Sequence, residues 1–223
     1  MLKYITLFSS LLALSFIQKE KSTIKYIAFG DSYTICTGTS TTEEHWPNIL
    51  AKHLTDSNIK TELVLNPSRN GYSTQNVIDK ELPLLANQTI DFATLLIGVN
   101  DWVREVDANT YHKNLNFIID EIQKKLSHKS HLILITIPDF GMTPQGKLYG
   151  SGRDITKGIT EFNSIIKGEA KKRQLVCVDI FPISKNMLGN KELIASDGLH
   201  PSAKEYAIWE TLIFTEVKKL FSK

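Results

Sequence analysis

Five short apolar runs, residues 25–29, 62–65, 92–97, 131–137 and 175–180, alternate with longer stretches of helical periodicity. Strands that alternate with helices pair in parallel, because each helix serves as the crossover between two strands of one sheet. The runs show little apolar–polar alternation, which suits strands covered on both faces. Tyr111, Leu115, Ile118, Ile119, Ile122 and Leu126 are spaced 4-3-1-3-4, one face of an α-helix. Asp154 is placed to cap a helix carrying Ile155, Ile159, Phe162 and Ile166. After Pro201, Ser202 and Glu205 have the spacing of a capping box, and Tyr206, Trp209, Ile213, Val217 and Leu220 supply the buried stripe of a last helix. The expectation is an α/β fold with a five-stranded parallel sheet in the order 2-1-3-4-5. No internal repeat or low-complexity linker divides the 223 residues, so one domain with a single core is predicted.

The ends and the composition narrow the partners. Met1-Leu2-Lys3 precedes an apolar stretch over residues 4–17, and Gln18-Lys19-Glu20-Lys21 follows it. That pattern predicts a signal peptide over residues 1–17, a mature domain over 18–223, and a secreted or periplasmic location. As a helix the stretch would span about 21 Å, short of the ~30 Å hydrocarbon slab, so no stable membrane span is expected; an uncleaved interfacial anchor is the alternative. The formal net charge is +2 and the longest basic run is Lys171-Lys172-Arg173, which argues against nucleic acid. Export would permit a disulfide between the two cysteines, Cys36 and Cys177. Cys177, however, sits inside the apolar run Leu175-Val176-Cys177-Val178, where a small buried thiol is the commoner occupant.

Candidate chemistry gathers at the strand ends. Ser32 follows the first strand, Gly71 the second and Asn100 the third, while Asp197 and His200 follow the fifth. In open α/β sheets, sites lie outside the carboxyl ends of the strands where the strand order reverses. With order 2-1-3-4-5, Gly71 and Asn100 come from the loops on either side of Ser32. The fifth strand lies three steps, about 14 Å, from the first. Residues 181–196 must therefore return Asp197 and His200 to Ser32. The chain order Ser…Asp…His is that of nucleophilic triads on α/β sheets, although no G-x-S-x-G elbow is present.

At these positions the chain resembles the SGNH hydrolases, the GDSL-type esterases and lipases. Gly30-Asp31-Ser32-Tyr33 is similar to the nucleophile block, with Tyr33 where the family name has leucine. Gly71 within Asn70-Gly71-Tyr72-Ser73-Thr74 resembles the glycine block, Gly98-Val99-Asn100-Asp101 the G-x-N-D block, and Asp197-Gly198-Leu199-His200-Pro201 the D-x-x-H block. The resemblance implies a flavodoxin-like three-layer α/β/α sandwich and an ester hydrolase acting through an acyl-enzyme. Ser32, Asp197 and His200 would form its triad; Ser32, Gly71 and Asn100 would form its oxyanion hole. It implies a small-molecule ester substrate, among short acyl esters, lysophospholipids and acetylated sugars, and neither metal nor cofactor. A non-catalytic carbohydrate- or lipid-binding module on the same fold is the alternative.

Each of these residues also has a plainer reading. Ser32 suits a helix N-cap, Asp197-Gly198 a turn, and Gly71 a position needing positive φ. Asp31 and Asp101 are expected to brace their loops, and Trp46-Pro47 to pack the first helix on the core. His45, His53, His112, His128 and His131 lack metal-like spacing and are expected in ordinary polar roles. Residues 138–153 carry four glycines without periodicity, so they form either a substrate-contacting loop or a surface excursion. That loop and residues 33–45 are the expected determinants of specificity.

Overall fold

The computed structural model describes residues 22–86 and 88–221. The signal peptide expected over residues 1–17 lies outside them. The strands are β1 (Ile24–Gly30), β2 (Thr61–Leu65), β3 (Phe92–Leu96), β4 (Leu132–Ile135) and β5 (Val176–Val178). All pair in parallel in the order β2-β1-β3-β4-β5, as expected from the sequence. The helices are α1 (Trp46–Asp56), α2 (Thr74–Asn76), α3 (Val99–Val103), α4 (Ala108–Lys125), α5 (Ile155–Arg173), α6 (Phe181–Ser184) and α7 (Ala203–Phe221). Packing of α1 on α7 and of α4 on α5 forms the two helical layers around the sheet. Among the described residues, no helix is long and apolar enough to cross a membrane.

The apolar stripes read from the sequence are buried, except that Leu220 near the end of α7 is only partly so. Tyr111, Ile118, Ile119 and Ile122 of α4 are fully buried, as are Tyr206, Trp209, Ile213 and Val217 of α7. The Tyr111 ring stacks on Phe162 of α5 at 4.2 Å, and its hydroxyl donates to the Ile97 carbonyl at 3.0 Å. Trp46 is buried at the start of α1 and donates its indole N–H to the Tyr33 carbonyl at 2.9 Å, the packing role expected of it. Asp154 caps α5 by accepting the Lys157 N–H at 2.9 Å. Both cysteines are free thiols, Cys36 buried and Cys177 half-buried.

Two local expectations are corrected. The fourth and fifth strands are shorter than their apolar runs because side chains take over from the ladder. Asn163 bonds both the N–H and the C=O of Ile137, at 2.7 and 2.9 Å, and Thr136 Oγ1 accepts the Ile180 N–H at 2.9 Å. Nor does the capping box at α7 close. Ser202 Oγ accepts the Glu205 N–H at 3.4 Å, but buried Glu205 accepts the Trp209 indole N–H at 2.7 Å instead of reaching back. The Ser202 N–H donates to the Leu193 carbonyl.

Below the end of β1 lies an unusual brace. Glu81, fully buried in the π-helical turn Val77–Glu81, accepts the Gly30 N–H through Oε2 at 3.2 Å. Its Oε1 has no hydrogen-bond partner among the described residues. Burial pushes this carboxyl up to about 8, against the stabilising Gly30 N–H and with help from nearby Asp31. A carboxyl whose folded-state pKa is raised contributes stability that is present below its unfolded pKa and lost as pH rises toward the folded value. Glu81→Gln keeps the acceptor for Gly30 and cannot ionise. Its melting temperature should therefore gain on wild type between about pH 5 and pH 9 in thermal denaturation; a gap independent of pH would refute a buried, titrating Glu81.

Candidate active site

Ser32 stands one residue beyond Asp31, where the chain leaves β1 into a run of turns over residues 32–38. It starts no helix, so the N-cap reading does not apply. Asp31 is fully buried and works as the brace expected of it. Its Oδ1 accepts the Tyr33 N–H at 2.9 Å, and its carbonyl accepts the N–H groups of Thr34 and Ile35. Asp31 Oδ2 has no partner among the described residues. Burial pushes the Asp31 carboxyl up to about 8, the Tyr33 N–H opposing and the Asp101 charge adding to the rise. Near neutral pH the group beneath Ser32 is thus mainly uncharged. The Ser32 carbonyl accepts the Thr37 N–H at 2.9 Å, while the N–H groups of Ser32 and Gly71 make no hydrogen bond within the described residues.

The loop after β2 and the helix after β3 are fastened together residue by residue. Asn100 Nδ2 donates to the Tyr72 carbonyl at 2.9 Å, and Arg104 Nη2 donates to the Gly71 carbonyl at 2.6 Å. Buried Asp101 accepts the Thr74 N–H at 2.9 Å through Oδ2 and the Thr74 hydroxyl through Oδ1. Asn114 of α4 donates to that same hydroxyl at 3.0 Å. Asp101 therefore braces its loop as expected, by holding the first residue of α2. Gly71 has φ +77°, a left-handed conformation that favours glycine. Arg104 was not among the sequence candidates. Its signal is the i, i+4 spacing from Asn100, which puts the two side chains on one side of α3.

Asp197 and His200 arrive on a small hairpin after α6 and its following turns. Ile194 and Pro201 form an antiparallel bridge, and the Ala195 N–H donates to the His200 carbonyl at 2.8 Å. His200 Nδ1 lies 2.6 Å from Asp197 Oδ2, and Asp197 Oδ1 accepts the N–H groups of Leu199 and His200, both at 2.9 Å. Partial burial raises the Asp197 pKa, but the His200 side chain and these two N–H donors outweigh it, leaving the carboxyl below its ordinary value. The turn reading of Asp197-Gly198 holds alongside: the Gly198 N–H donates to the Ala195 carbonyl at 3.0 Å. The Tyr33 ring meets the imidazole edge-on at 6.1 Å.

Ser32, Gly71, Asn100 and His200 line one cavity of about 180 Å³, with Val99, Val103, Phe140, Tyr149 and Leu199 as apolar walls. Among the described residues no hydrogen bond joins Ser32 Oγ to the imidazole. Such bonds commonly tighten only when substrate is bound. Phe140 and Tyr149 come from the loop over residues 138–153, which thus lies against the site instead of running away from it. Arg153 fastens that loop, a second arginine not singled out in the sequence. Its guanidinium stacks on Trp102 at 4.0 Å and donates to the carbonyls of Trp102 at 2.8 Å, Val103 at 3.3 Å and Gly150 at 3.2 Å. The Gln145 N–H completes the attachment at the Gly198 carbonyl, 3.0 Å away. Three of the other histidines pair locally: His53 with Glu210 at 3.1 Å, His112 with Glu169 at 2.9 Å, and His131 with the Asp91 carbonyl at 3.0 Å.

No curated protein matched the sequence. Among solved structures, a variant of an acetyl xylan esterase from Geobacillus stearothermophilus is 18% identical, with 87% of this chain and 94% of that chain covered and a TM-score of 0.68. TesA is 20% identical, covering 88% and 99%, with a TM-score of 0.71. A lipase/acylhydrolase from Enterococcus faecalis is 22% identical, covering 88% and 96%, with a TM-score of 0.66. At such identities the likeness establishes the shared fold. The sequence itself matches the GDSL-like lipase/acylhydrolase family over residues 28–208, most of its length, and the chain belongs to that family.

Proposed function

We propose that this chain is a serine ester hydrolase that works through an acyl-enzyme. Supporting this above all is the Asp197–His200 pair, joined at 2.6 Å, with His200 lining the same cavity as Ser32, Gly71 and Asn100. With Nδ1–H donated to Asp197, the imidazole presents Nε2 as a base. Nε2 takes the Ser32 proton while Oγ forms a bond to the ester carbonyl carbon. Negative charge then develops on the carbonyl oxygen. The N–H groups of Ser32 and Gly71, together with the Asn100 amide N–H not directed at Tyr72, are the donors that stabilise it. Asp197 stabilises the imidazolium, which protonates the departing alcohol as the C–O bond breaks. Water, activated by the same Nε2, hydrolyses the acyl-enzyme and restores Ser32.

The substrate reading is a short acyl ester. At about 180 Å³ the cavity is smaller than the ~300–1,000 Å³ pockets that hold drug-sized ligands, and its apolar walls suit an acyl group. Wild type should hydrolyse p-nitrophenyl acetate and lose activity steeply as the acyl chain lengthens. Ser32→Ala should abolish turnover with unchanged circular dichroism and melting temperature. Retained activity in that variant would exclude the serine mechanism.

Arg104 enters this reading as a positioning residue, because it holds the carbonyl of Gly71, whose N–H is one of the three donors. Deleting an oxyanion donor outright costs ~10²–10³ in kcat. Arg104→Gln, which loosens a donor without removing it, should lower kcat roughly tenfold and leave KM nearly unchanged. Arg104 is exposed, so the melting temperature should not move, and Arg104→Lys should recover part of the loss. An unaltered kcat in Arg104→Gln would remove Arg104 from the mechanism.

A further inference from the structure

A second depression of about 570 Å³ opens beside the central cavity, and nothing in the mechanism above uses it. It is bordered by Thr37, Thr39, His45, Arg69 and Asn70 around the turn at Cys36 and Gly38. Asn70 borders both spaces. Three contacts fix the groove against the reacting groups. The Thr37 N–H donates to the Ser32 carbonyl, and Asn70 precedes Gly71. Gly38 packs so tightly on the His200 hairpin that a Cβ there would stand 3.3 Å from His200 Cβ and 2.8 Å from the Pro201 carbonyl oxygen.

Chemically the groove differs from the cavity. The central cavity has five apolar walls; the groove offers hydroxyls, an amide, an imidazole and a guanidinium, and no carboxylate borders it. Arg69 is exposed and uses Nη1 on the Ser68 carbonyl at 2.8 Å. Its Nε and Nη2 make no hydrogen bond within the described residues. Thr37 Oγ1 donates to Asn70 Oδ1, which leaves the Asn70 amide N–H₂ to be donated elsewhere. Partial burial lowers the His45 pKa against the opposing charges of Glu43 and Glu44, so this ring is neutral near pH 7 and Arg69 is the one cationic group lining the groove among the described residues.

The two halves of an ester have to separate toward different sides of Ser32. Once Ser32 Oγ has bonded to the carbonyl carbon, the bond from that carbon to the alcohol oxygen breaks. The electron pair stays on the alcohol oxygen, which takes the imidazolium proton and leaves as a neutral hydroxyl. The alcohol half must therefore lie on the His200 side, where Gly38 brings the groove. We propose that this groove is the leaving-alcohol subsite, and that it accepts a hydroxyl-rich alcohol bearing an anionic group, held by Arg69 with Asn70 and Thr39 beside it. The proposal rests on the serine-hydrolase reading for its orientation, but the anion selectivity of the groove stands independently of turnover.

Binding and turnover are therefore tested separately. Saturation-transfer NMR on the whole protein would use galacturonate, glycerol 3-phosphate and xylose as probes. At least one anionic probe should give a stronger signal than xylose, the carboxylate and phosphate arms distinguishing the source of the charge, and Arg69→Gln should remove the difference. In turnover, acetyl esters of the same three compounds should show an anionic-to-neutral kcat/KM ratio of roughly ten, the scale of one charge-assisted hydrogen bond, falling toward unity in Arg69→Gln. Equal binding of all three probes, or a selectivity unchanged in Arg69→Gln, overturns the subsite. Anion binding without hydrolysis of any ester, p-nitrophenyl acetate included, would leave the groove standing and bring down the catalytic reading instead.

Discussion

Because β1 is hydrogen-bonded along both edges, to β2 and to β3, the chain that leaves its carboxyl end has only one place to go. It must emerge between the loop after β2 and the loop after β3, and whatever side chain it carries there is flanked by both. Ser32, the loop 71–74 and the helix α3 are neighbours for that reason. The sheet alone would leave the two flanking loops independent. The bonds from Asn100, Asp101 and Arg104 to Tyr72, Thr74 and Gly71 convert them into one rigid unit. Gly71 and Asn100, which follow separate strands, can then keep a fixed spacing, which is the condition the proposed oxyanion hole would need for preorganised stabilisation of charge.

Reach imposes the opposite problem on the histidine. β5 sits at the far edge of the sheet, so its following loop has to cross back over β3 and β4. The structure covers that distance with α6, a series of short turns and the bridged hairpin Ile194–Pro201. Gln145 at Gly198 and Gly38 against His200 fasten the hairpin from either side. The loop 138–153 is held in turn by Arg153 on the carbonyls at the end of α3. One side of the site thus braces the other through backbone carbonyls and a guanidinium.

These dependencies explain what could be read from the sequence. Strand order, helix faces and the convergence of Ser32, Gly71, Asn100 and His200 were legible because they follow from periodicity and from motifs at strand ends. Strand limits were not, since Ile137 and Ile180 are as apolar as ladder residues and leave the ladder only because Asn163 and Thr136 supply substitute bonds. The Ser202–Glu205 spacing misled because capping depends on where a carboxylate is directed, and burial beside Trp209 directed Glu205 inward. Arg104 and Arg153 were illegible as site residues for a related reason. Their partners are carbonyls, which every residue has, and nothing in a local pattern says which carbonyl will be near.

Carboxyl groups lie around Ser32 and His200, and environment sorts Asp31, Glu81 and Asp197 into two kinds. Asp31 and Glu81 are buried, each has one oxygen without a hydrogen-bond partner among the described residues, and the Asp31 charge adds to the rise at Glu81. Both are pushed to about 8, so near neutrality they hold the ends of the turn at Gly30 and Tyr33 chiefly as uncharged groups. Asp197 has the reverse setting: it is partly exposed and receives three hydrogen bonds, and it stays ionised beside the imidazole. That sorting suits the proposed acyl-enzyme mechanism, in which negative charge would develop beside Ser32. A fixed negative charge directly beneath Ser32 would oppose that oxyanion, whereas one behind His200 would favour the imidazolium formed in the same proposed step.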